Sequence, residues 1–277
     1  MKKNLILAAF FSVALVYCHA QNLVTPQSSP TEEIKQNFGL SQIEVSYSRP
    51  GIKGRKIFGD LVPYNKVWRT GANNATTITF GDDVIIEGTK VAAGKYGLLT
   101  IPGQNEWTII FTKQTDVTNA AAYKQDQDVL RVTVKPYMLP FSIETFTIGF
   151  NDISVNSCRL ELMWDSVYIP LPVTTDVDAK VMTQINQVMQ QDNHPYFQAA
   201  VYYIENGKDL NQAVEWLDKA IAQNPDAYFM YYQKARALAK LGKKQEALAA
   251  SNKSTELAKA AKNDDYVALN EKLQKGL

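Results

Sequence analysis

Short runs of alternating apolar and polar residues dominate the front half of the chain. Residues 130–135 alternate Leu-Arg-Val-Thr-Val-Lys, and Phe146, Ile148 and Phe150 share one face of a later run. Such alternation predicts half-buried β-strands. Short strands at regular spacing predict an all-β antiparallel sandwich or a partly closed barrel.

Two local signals indicate how the strands connect and where they end. Residues 76–80 and 84–86 flank Gly81, Asp82 and Asp83, which predicts a β-hairpin. Pro170 and Pro172 are expected to stop the last strand, because proline has no backbone N–H to donate to a sheet. We therefore place the end of the β-domain at residue 173.

The chain after residue 173 has helical spacing and an internal repeat, so the whole chain is of the α+β class. Equivalent positions recur at 34 residues, the period of the tetratricopeptide repeat: Ala213 with Ala247, Leu217 with Ser251, and Ala220 with Ser254. Residues 174–277 are thus expected to form a helical tail of about two tetratricopeptide-like units. Because about three units are normally needed for stability, this tail should rest on the β-domain or on a helix at 176–191.

The first 20 residues have the pattern of a cleaved signal peptide. Lys2 and Lys3 precede an apolar run at 5–16, and Ala20 offers a small residue at the cleavage position. The predicted domains are then 1–20, 21–173 and 174–277, and the mature protein is exported to the periplasm or the extracellular space. A lipoprotein signal with Cys18 as the lipidated residue is the alternative, although bulky Tyr17 does not suit it.

Loss of the signal peptide narrows the chemistry that the chain can perform. It leaves 27 basic against 28 acidic residues, one cysteine (Cys158) and one histidine (His194). Neither nucleic acid nor an anionic membrane is favoured by a net charge of −1, and no remaining segment is apolar enough to span a bilayer. A disulfide, a histidine-rich metal site and a nucleophilic triad are not expected. No phosphate-loop motif occurs, and we expect neither cofactor nor metal.

Residues 48–76 have the densest motif content. The segment reads SRPGIKGRKIFGDLVPYNKVWRTGANNAT, and Gly94, Tyr96 and Trp107 follow. This pattern resembles an uncharacterised family of exported bacterial proteins, mostly from Bacteroidetes-type organisms, catalogued as a domain of unknown function. The resemblance covers residues 40–165, and similar helical tails occur in the family. It implies no activity that could be transferred.

The same segment has a cationic character with two interpretations. Six basic residues within it are opposed only by Asp60: Arg49, Lys53, Arg55, Lys56, Lys66 and Arg69. As a binding site for an anionic or glycan ligand it would use these residues: Arg49, Arg55, Trp68, Arg69 and Asn73. As a structural loop, its arginines would bond backbone carbonyls and Trp68 would fill the core.

Several functions remain open from the sequence alone. The leading hypothesis is a non-enzymatic binding protein, with a protein or peptide partner for the aromatic-rich tail. The alternative is a carbohydrate-active hydrolase that pairs two of four carboxylates: Asp60, Glu87, Glu106 and Asp152. A third hypothesis is an envelope protein whose tail only stabilises the β-domain.

Overall fold

The structure, a computed structural model, describes residues 25–191 and 194–277. The predicted signal peptide at 1–20 lies outside these residues. The chain divides into two compact units, one ending at Thr175 and the other comprising Asp176–Leu277. This division falls two residues after the predicted boundary at 173.

The first unit is built from antiparallel β-strands, as predicted. Its strands are β1 Thr31–Phe38, β2 Ser41–Ser48, β3 Thr77–Phe80, β4 Val84–Ile86, β5 Thr89–Val91, β6 Gly94–Ile101, β7 Trp107–Thr112, β8 Asp128–Val134, β9 Tyr137–Asn151 and β10 Ser157–Thr174. One sheet has the order β1-β2-β3-β6-β7-β8 and the other β5-β4-β10-β9. The two separate sheets form a sandwich. Of the two folds that the sequence left open, the structure therefore has the sandwich and not the partly closed barrel.

The core of the sandwich lies between the two sheets. Side chains such as Ile43 and Val45 of β2 join Leu160 and Leu162 of β10 in one buried cluster. Cys158 belongs to this cluster, and burial raises the pKa of its thiol to about 11. The alternation seen in the sequence therefore marks the inward faces of these strands.

The predicted hairpin at 76–86 is wrong. β3 lies between β2 and β6, so both of its edges are occupied, and β4 joins the other sheet. A Cβ on Gly81 would lie 2.2 Å from Ser41 Oγ, which shows how tightly the chain crosses beside β2. The turn connects the two sheets of the sandwich instead of two neighbouring strands.

The prediction that Pro170 and Pro172 end the strand is also wrong. β10 pairs with β9 as far as Tyr168 and with β4 from Val173, and both prolines lie between these stretches. The alternate residues Ile169 and Leu171 are fully buried. The prolines therefore occur where β10 changes its partner and a missing N–H costs little.

A second, smaller cluster covers the outer face of β6 and β7. Leu99 and Ile110 contact Val117, which belongs to the segment that joins β7 to β8. This segment includes two short 3-10 turns, Ala120–Ala122 and Gln125–Gln127. Because Val117 anchors it on the sheet, residues 118–120 are held beside the end of the sandwich.

The second unit is entirely helical in its described part. Its helices are α1 Asp178–Val188, α2 Tyr196–Glu205, α3 Leu210–Gln223, α4 Tyr228–Lys240, α5 Lys244–Ala260 and α6 Asp264–Lys275. None of these helices has the length and apolarity needed to cross a membrane. The predicted repeat positions all lie inside the unit: Ala213, Leu217, Ala220, Ala247, Ser251 and Ser254. Ile185 of α1 contributes to the α2–α3 cluster, as expected for a supporting helix.

Candidate ligand-binding site

Residues 49–76, here called the connecting loop, link β2 to β3 and bind to both sheets. Ile52 donates its N–H to the carbonyl of Glu144 at 2.8 Å, and Phe146 N–H donates to Pro50 at 2.9 Å, which joins the loop to β9. On the other side, Trp68 N–H donates to Thr100 of β6 at 2.7 Å. The loop therefore closes one end of the sandwich with a fixed backbone path.

Trp68 inserts into an aromatic cluster at this end. Its ring lies 5.7 Å from that of Trp164 in a stacked arrangement and contacts Phe146 edge-on at 5.1 Å. Its indole N–H donates to the carbonyl of Gly71 at 3.1 Å. Trp68 thus fills the core as the structural interpretation expected, and its polar edge is occupied.

A cavity of about 430 Å³ opens between the connecting loop and the segment after β7. We call it the basic cavity, because three cationic side chains line it: Lys53, Arg55 and Arg69. Trp68 and Trp164 line it as well, together with small and polar residues such as Ser28, Ser29, Thr118 and Asn119. No aspartate or glutamate lies in its described lining.

Backbone carbonyls hold the three cations in place. Arg55 donates from Nε to Ile52 at 3.0 Å and from Nη2 to Gly51 at 2.6 Å. Arg69 Nη1 donates to the carbonyl of Thr118, and Lys53 Nζ donates to Ser28 at 3.3 Å. None of them forms a salt bridge within the described residues. Carbonyls orient these groups without neutralising them, and the nearby Glu144 carboxylate bonds the backbone N–H of Lys53, so the charged side chains in the described lining are all positive.

The backbone beside Arg69 adopts an uncommon conformation. Thr70, a β-branched residue, has φ of +57°, where L-residues are disfavoured. Its hydroxyl donates to Thr100 Oγ1 at 3.0 Å, and its carbonyl accepts from Thr76 Oγ1 at 2.7 Å. A Cβ on Gly71 would lie 2.9 Å from the carbonyl oxygen of Ser48. These hydrogen bonds and the close packing at Gly71 hold Thr70 in its strained conformation, as is common at functional sites. They thereby fix the backbone position of the neighbouring Arg69.

Two protein-family models match parts of the chain. The model described as "Protein of unknown function (DUF2911)" matches residues 29–173, slightly more than half of the chain. The chain belongs to the DUF2911 family. A tetratricopeptide repeat model matches residues 230–260, which span α4 and α5. Comparison with curated proteins and with solved structures found no match.

The DUF2911 domain brings together three of the five predicted site residues. Arg55, Trp68 and Arg69 line the basic cavity, whereas Arg49 and Asn73 do not. Arg49 binds Glu32 Oε1 and Thr147 Oγ1, each at 2.9 Å. Asn73 is exposed and donates from Nδ2 to the carbonyl of Ser29 at 2.9 Å. Arg49 thus links β1 to β9, and Asn73 binds the segment that precedes β1 in the DUF2911 domain.

Lys53 and Trp164 line the cavity but were not among the predicted contacts. Lys53 belongs to the cationic run of the sequence, and that run was the available signal for it. Trp164 lies on the inner face of β10, far along the chain from the connecting loop. No local pattern could have joined Trp164 to the connecting loop of this DUF2911 domain.

The four candidate carboxylates of a hydrolase lie at separate places in the DUF2911 domain. Asp60 lies in the connecting loop, Glu87 in the β4–β5 turn, Glu106 in the β6–β7 turn and Asp152 after β9. All four are exposed, and none lines the basic cavity. A different carboxylate, that of Glu144 in β9, accepts from the backbone N–H of the lining residue Lys53 at 2.9 Å. Across residues 25–191 and 194–277, no three histidine, cysteine or acidic side chains form a metal-binding group.

Proposed function

We propose that this protein is an exported, non-enzymatic binding protein whose basic cavity takes a small anionic ligand. The observation that supports this most strongly is the set of three cations around one cavity that contains no carboxylate in its described lining. Ligand pockets typically measure about 300–1,000 Å³, and the basic cavity falls within this range. Guanidinium groups preset by carbonyl bonds lose little freedom when an anion arrives.

The hydrolase alternative has less support. A glycosidase needs two carboxyl groups roughly 5–10 Å apart across one substrate bond. Asp60, Glu87, Glu106 and Asp152 lie in four different connections and outside the basic cavity. Asp152 is already paired with Arg159 at 2.5 Å. Binding without catalysis therefore agrees better with this distribution of charges.

Anion binding can be tested by titration with a set of sulfate, phosphate, benzoate and glucuronate, followed by tryptophan fluorescence. We expect saturable binding of at least one anion and a change in indole emission, because Trp68 and Trp164 line the cavity. Lys53→Gln should weaken binding about three- to fivefold. Lys66→Gln is the matched control, since Lys66 is exposed on the same loop but outside the lining. Absence of binding by every anion, or equal effects of both variants, would contradict the proposal.

Export is supported by the basic and apolar pattern of residues 1–20 and by the exported bacterial proteins that residues 48–76 resemble. The intact mass of the protein from the envelope fraction of its own cells tests it. A chain that begins at Gln21 supports a cleaved signal peptide, and a lipid mass on Cys18 supports the lipoprotein alternative. Full-length protein in the cytosol would contradict export.

A protein partner for the helical unit is the second part of the proposal. Tetratricopeptide repeats present surfaces that bind other proteins. A groove of about 390 Å³ lies between α4 and α6, lined by residues that include Tyr232, Arg236, Leu269 and Lys272. A photo-crosslinking amino acid at Leu269 should give an adduct with another protein in intact cells. The same amino acid at Leu248, an exposed leucine outside the groove, is the control, and equal adducts at both sites would contradict the groove.

A further inference from the structure

We propose that the ligand of the basic cavity is an organic anion with an apolar body, namely a carboxylate or sulfonate attached to a ring or a short alkyl chain. This inference rests on the proposed anion-binding function and narrows it to one chemical class. Sugar acids and inorganic anions should be poor ligands by comparison. The reasons lie in what the cavity presents at its floor and at its mouth.

The floor of the cavity is hydrocarbon. Trp164 is 2% exposed and Val62 is 4% exposed, so both lie deep in the domain although they line the cavity. The indole N–H of Trp164 donates to the carbonyl of Glu144 at 3.3 Å, and that of Trp68 donates to Gly71. Because both N–H groups are occupied by backbone oxygens, the two rings present carbon atoms to a ligand.

The mouth of the cavity is cationic. Lys53 and Arg55 are exposed and Arg69 is partly exposed, in contrast to the buried floor. The charged groups are therefore found near solvent, whereas the buried side chains of the lining, such as Trp164 and Val62, are apolar. This separation fits a ligand whose anionic head stays at the mouth while its body enters the cavity.

Other anions match this division less well. A sugar acid is hydroxylated around its ring, and its hydroxyls would meet indole carbon and valine methyl groups where they need hydrogen-bond partners. An inorganic anion would use the cations but leave most of the roughly 430 Å³ unfilled. An aryl or alkyl carboxylate satisfies both regions at once, since burial of its body removes apolar surface from water.

Isothermal titration of the full-length protein with four matched probes tests this class. The probes are 4-phenylbutyrate, its neutral amide, acetate and glucuronate. We expect 4-phenylbutyrate to bind at least about tenfold more tightly than acetate and glucuronate, because only it fills the floor. The amide should bind at least about tenfold more weakly than the carboxylate, because it lacks the charge-assisted bonds.

Variants that fill the cavity show where the probe binds. Ala120 and Ala121 are exposed neighbours in the same 3-10 turn, but only Ala120 lines the cavity. Ala120→Trp should lower the affinity for 4-phenylbutyrate about tenfold, whereas Ala121→Trp should leave it within about twofold. Ala72→Leu, at a second lining position, should act like Ala120→Trp. Thermal melts confirm that each variant is folded.

The outcomes separate this inference from the proposed function. If acetate or glucuronate binds as tightly as 4-phenylbutyrate and Lys53→Gln weakens them all, anion binding stands and the apolar class is wrong. If no anion binds, both are wrong. If 4-phenylbutyrate binds but neither Ala120→Trp nor Ala72→Leu affects it, its site lies elsewhere and the inference is also wrong.

Discussion

The side-chain amide of Asn270 donates a hydrogen bond of 2.8 Å to the hydroxyl of Ser254 in the interior of the helical unit. Ser251 Oγ donates to Asn270 Oδ1 at 2.9 Å, and Ser254 Oγ donates to the carbonyl of Tyr228 at 2.8 Å. All three side chains are fully buried. Ser251 and Ser254 therefore bind α6 to α5, and the bond from Ser254 to Tyr228 extends this link to α4.

Replacement of Asn270 should destabilise the helical unit. Asn270→Ala removes the buried amide that bonds both Ser251 and Ser254, so we expect a loss of about 2–4 kcal/mol in the free energy of unfolding. Denaturation followed by circular dichroism at the helical band measures it. Glu271→Ala, an exposed neighbour on α6, should change stability by less than about 0.5 kcal/mol. Equal effects of the two substitutions would show that the network is unimportant.

Arg49 should contribute to the stability of the fold and not to ligand binding. Its guanidinium joins Glu32 of β1 to Thr147 of β9, and Nε donates to the carbonyl of Phe146 at 3.2 Å. Arg49→Met should cost about 2–3 kcal/mol because it removes bonds between the two sheets. Anion affinity of the folded protein should stay within about twofold.

The control for Arg49→Met is Lys35→Met. Lys35 is paired with Glu44 at 2.9 Å on the same sheet but is largely exposed, so its loss should cost under about 1 kcal/mol. Urea denaturation gives the stability of both variants, and fluorescence titration gives their affinity. A loss of anion binding in Arg49→Met without a loss of stability would return Arg49 to the ligand site.

Alternation and spacing indicated strands such as β8 and β9 and the helical character of the second unit, but not β1 and β2 and not which strands pair. The period-two pattern of Phe146 and Ile148 correctly indicated the inner face of β9. The hairpin at 76–86 was wrong because the occupied edges of β3 depend on β2 and β6, which no local turn signal reports. The prediction from the prolines of β10 was wrong for the same reason. The energetic cost of a missing N–H depends on whether a partner strand pairs at that position, and none of the described strands pairs at Pro170 or Pro172.

The candidate site shows the same limit. A basic run in the sequence indicated a cationic region, and it contains all three cations of the cavity. It could not separate Arg49, which faces Glu32, from Arg55, which faces the cavity. That difference depends on the position of β9 and on Trp164, which are remote in sequence and meet the loop only after folding.

The buried thiol of Cys158 should be unreactive in the folded protein. Burial raises its pKa to about 11, so the thiolate fraction at neutral pH falls by roughly two orders of magnitude relative to a free cysteine. In a Cys18→Ser background, Ellman's reagent should react with the native protein at least about 100-fold more slowly than with the denatured protein. Moving the cysteine to the surface with Cys158→Ala and Asn74→Cys should restore fast reaction, since Asn74 is exposed. Rapid native labelling of Cys158 would show that β10 opens readily.

Glu161 should make the β unit sensitive to acid. The residue is 4% exposed, and its carboxylate accepts from Tyr168 Oη at 2.6 Å, Arg159 Nε at 2.8 Å and Asn151 Nδ2 at 2.5 Å. Burial alone would raise the pKa of Glu161, but these three hydrogen bonds outweigh it and hold the pKa below its ordinary value. Burial and the bond to Glu161 raise the pKa of Tyr168 to about 12, so Tyr168 remains a donor across the neutral range.

A pKa that is lower in the folded than in the unfolded state stabilises the fold when the group is ionised. The contribution of Glu161 is therefore complete above the unfolded value of about 4.3 and is lost as the pH falls through the folded value. Glu161→Gln should lower the free energy of unfolding by about 1–2 kcal/mol at pH 7, and this difference from the wild type should shrink below about pH 4. Urea denaturation followed by tryptophan fluorescence between pH 7 and about 3 measures it. Glu33→Gln, at an exposed position, is the control, and a difference for Glu161→Gln that stays constant with pH would mean that its charge does not stabilise the sandwich.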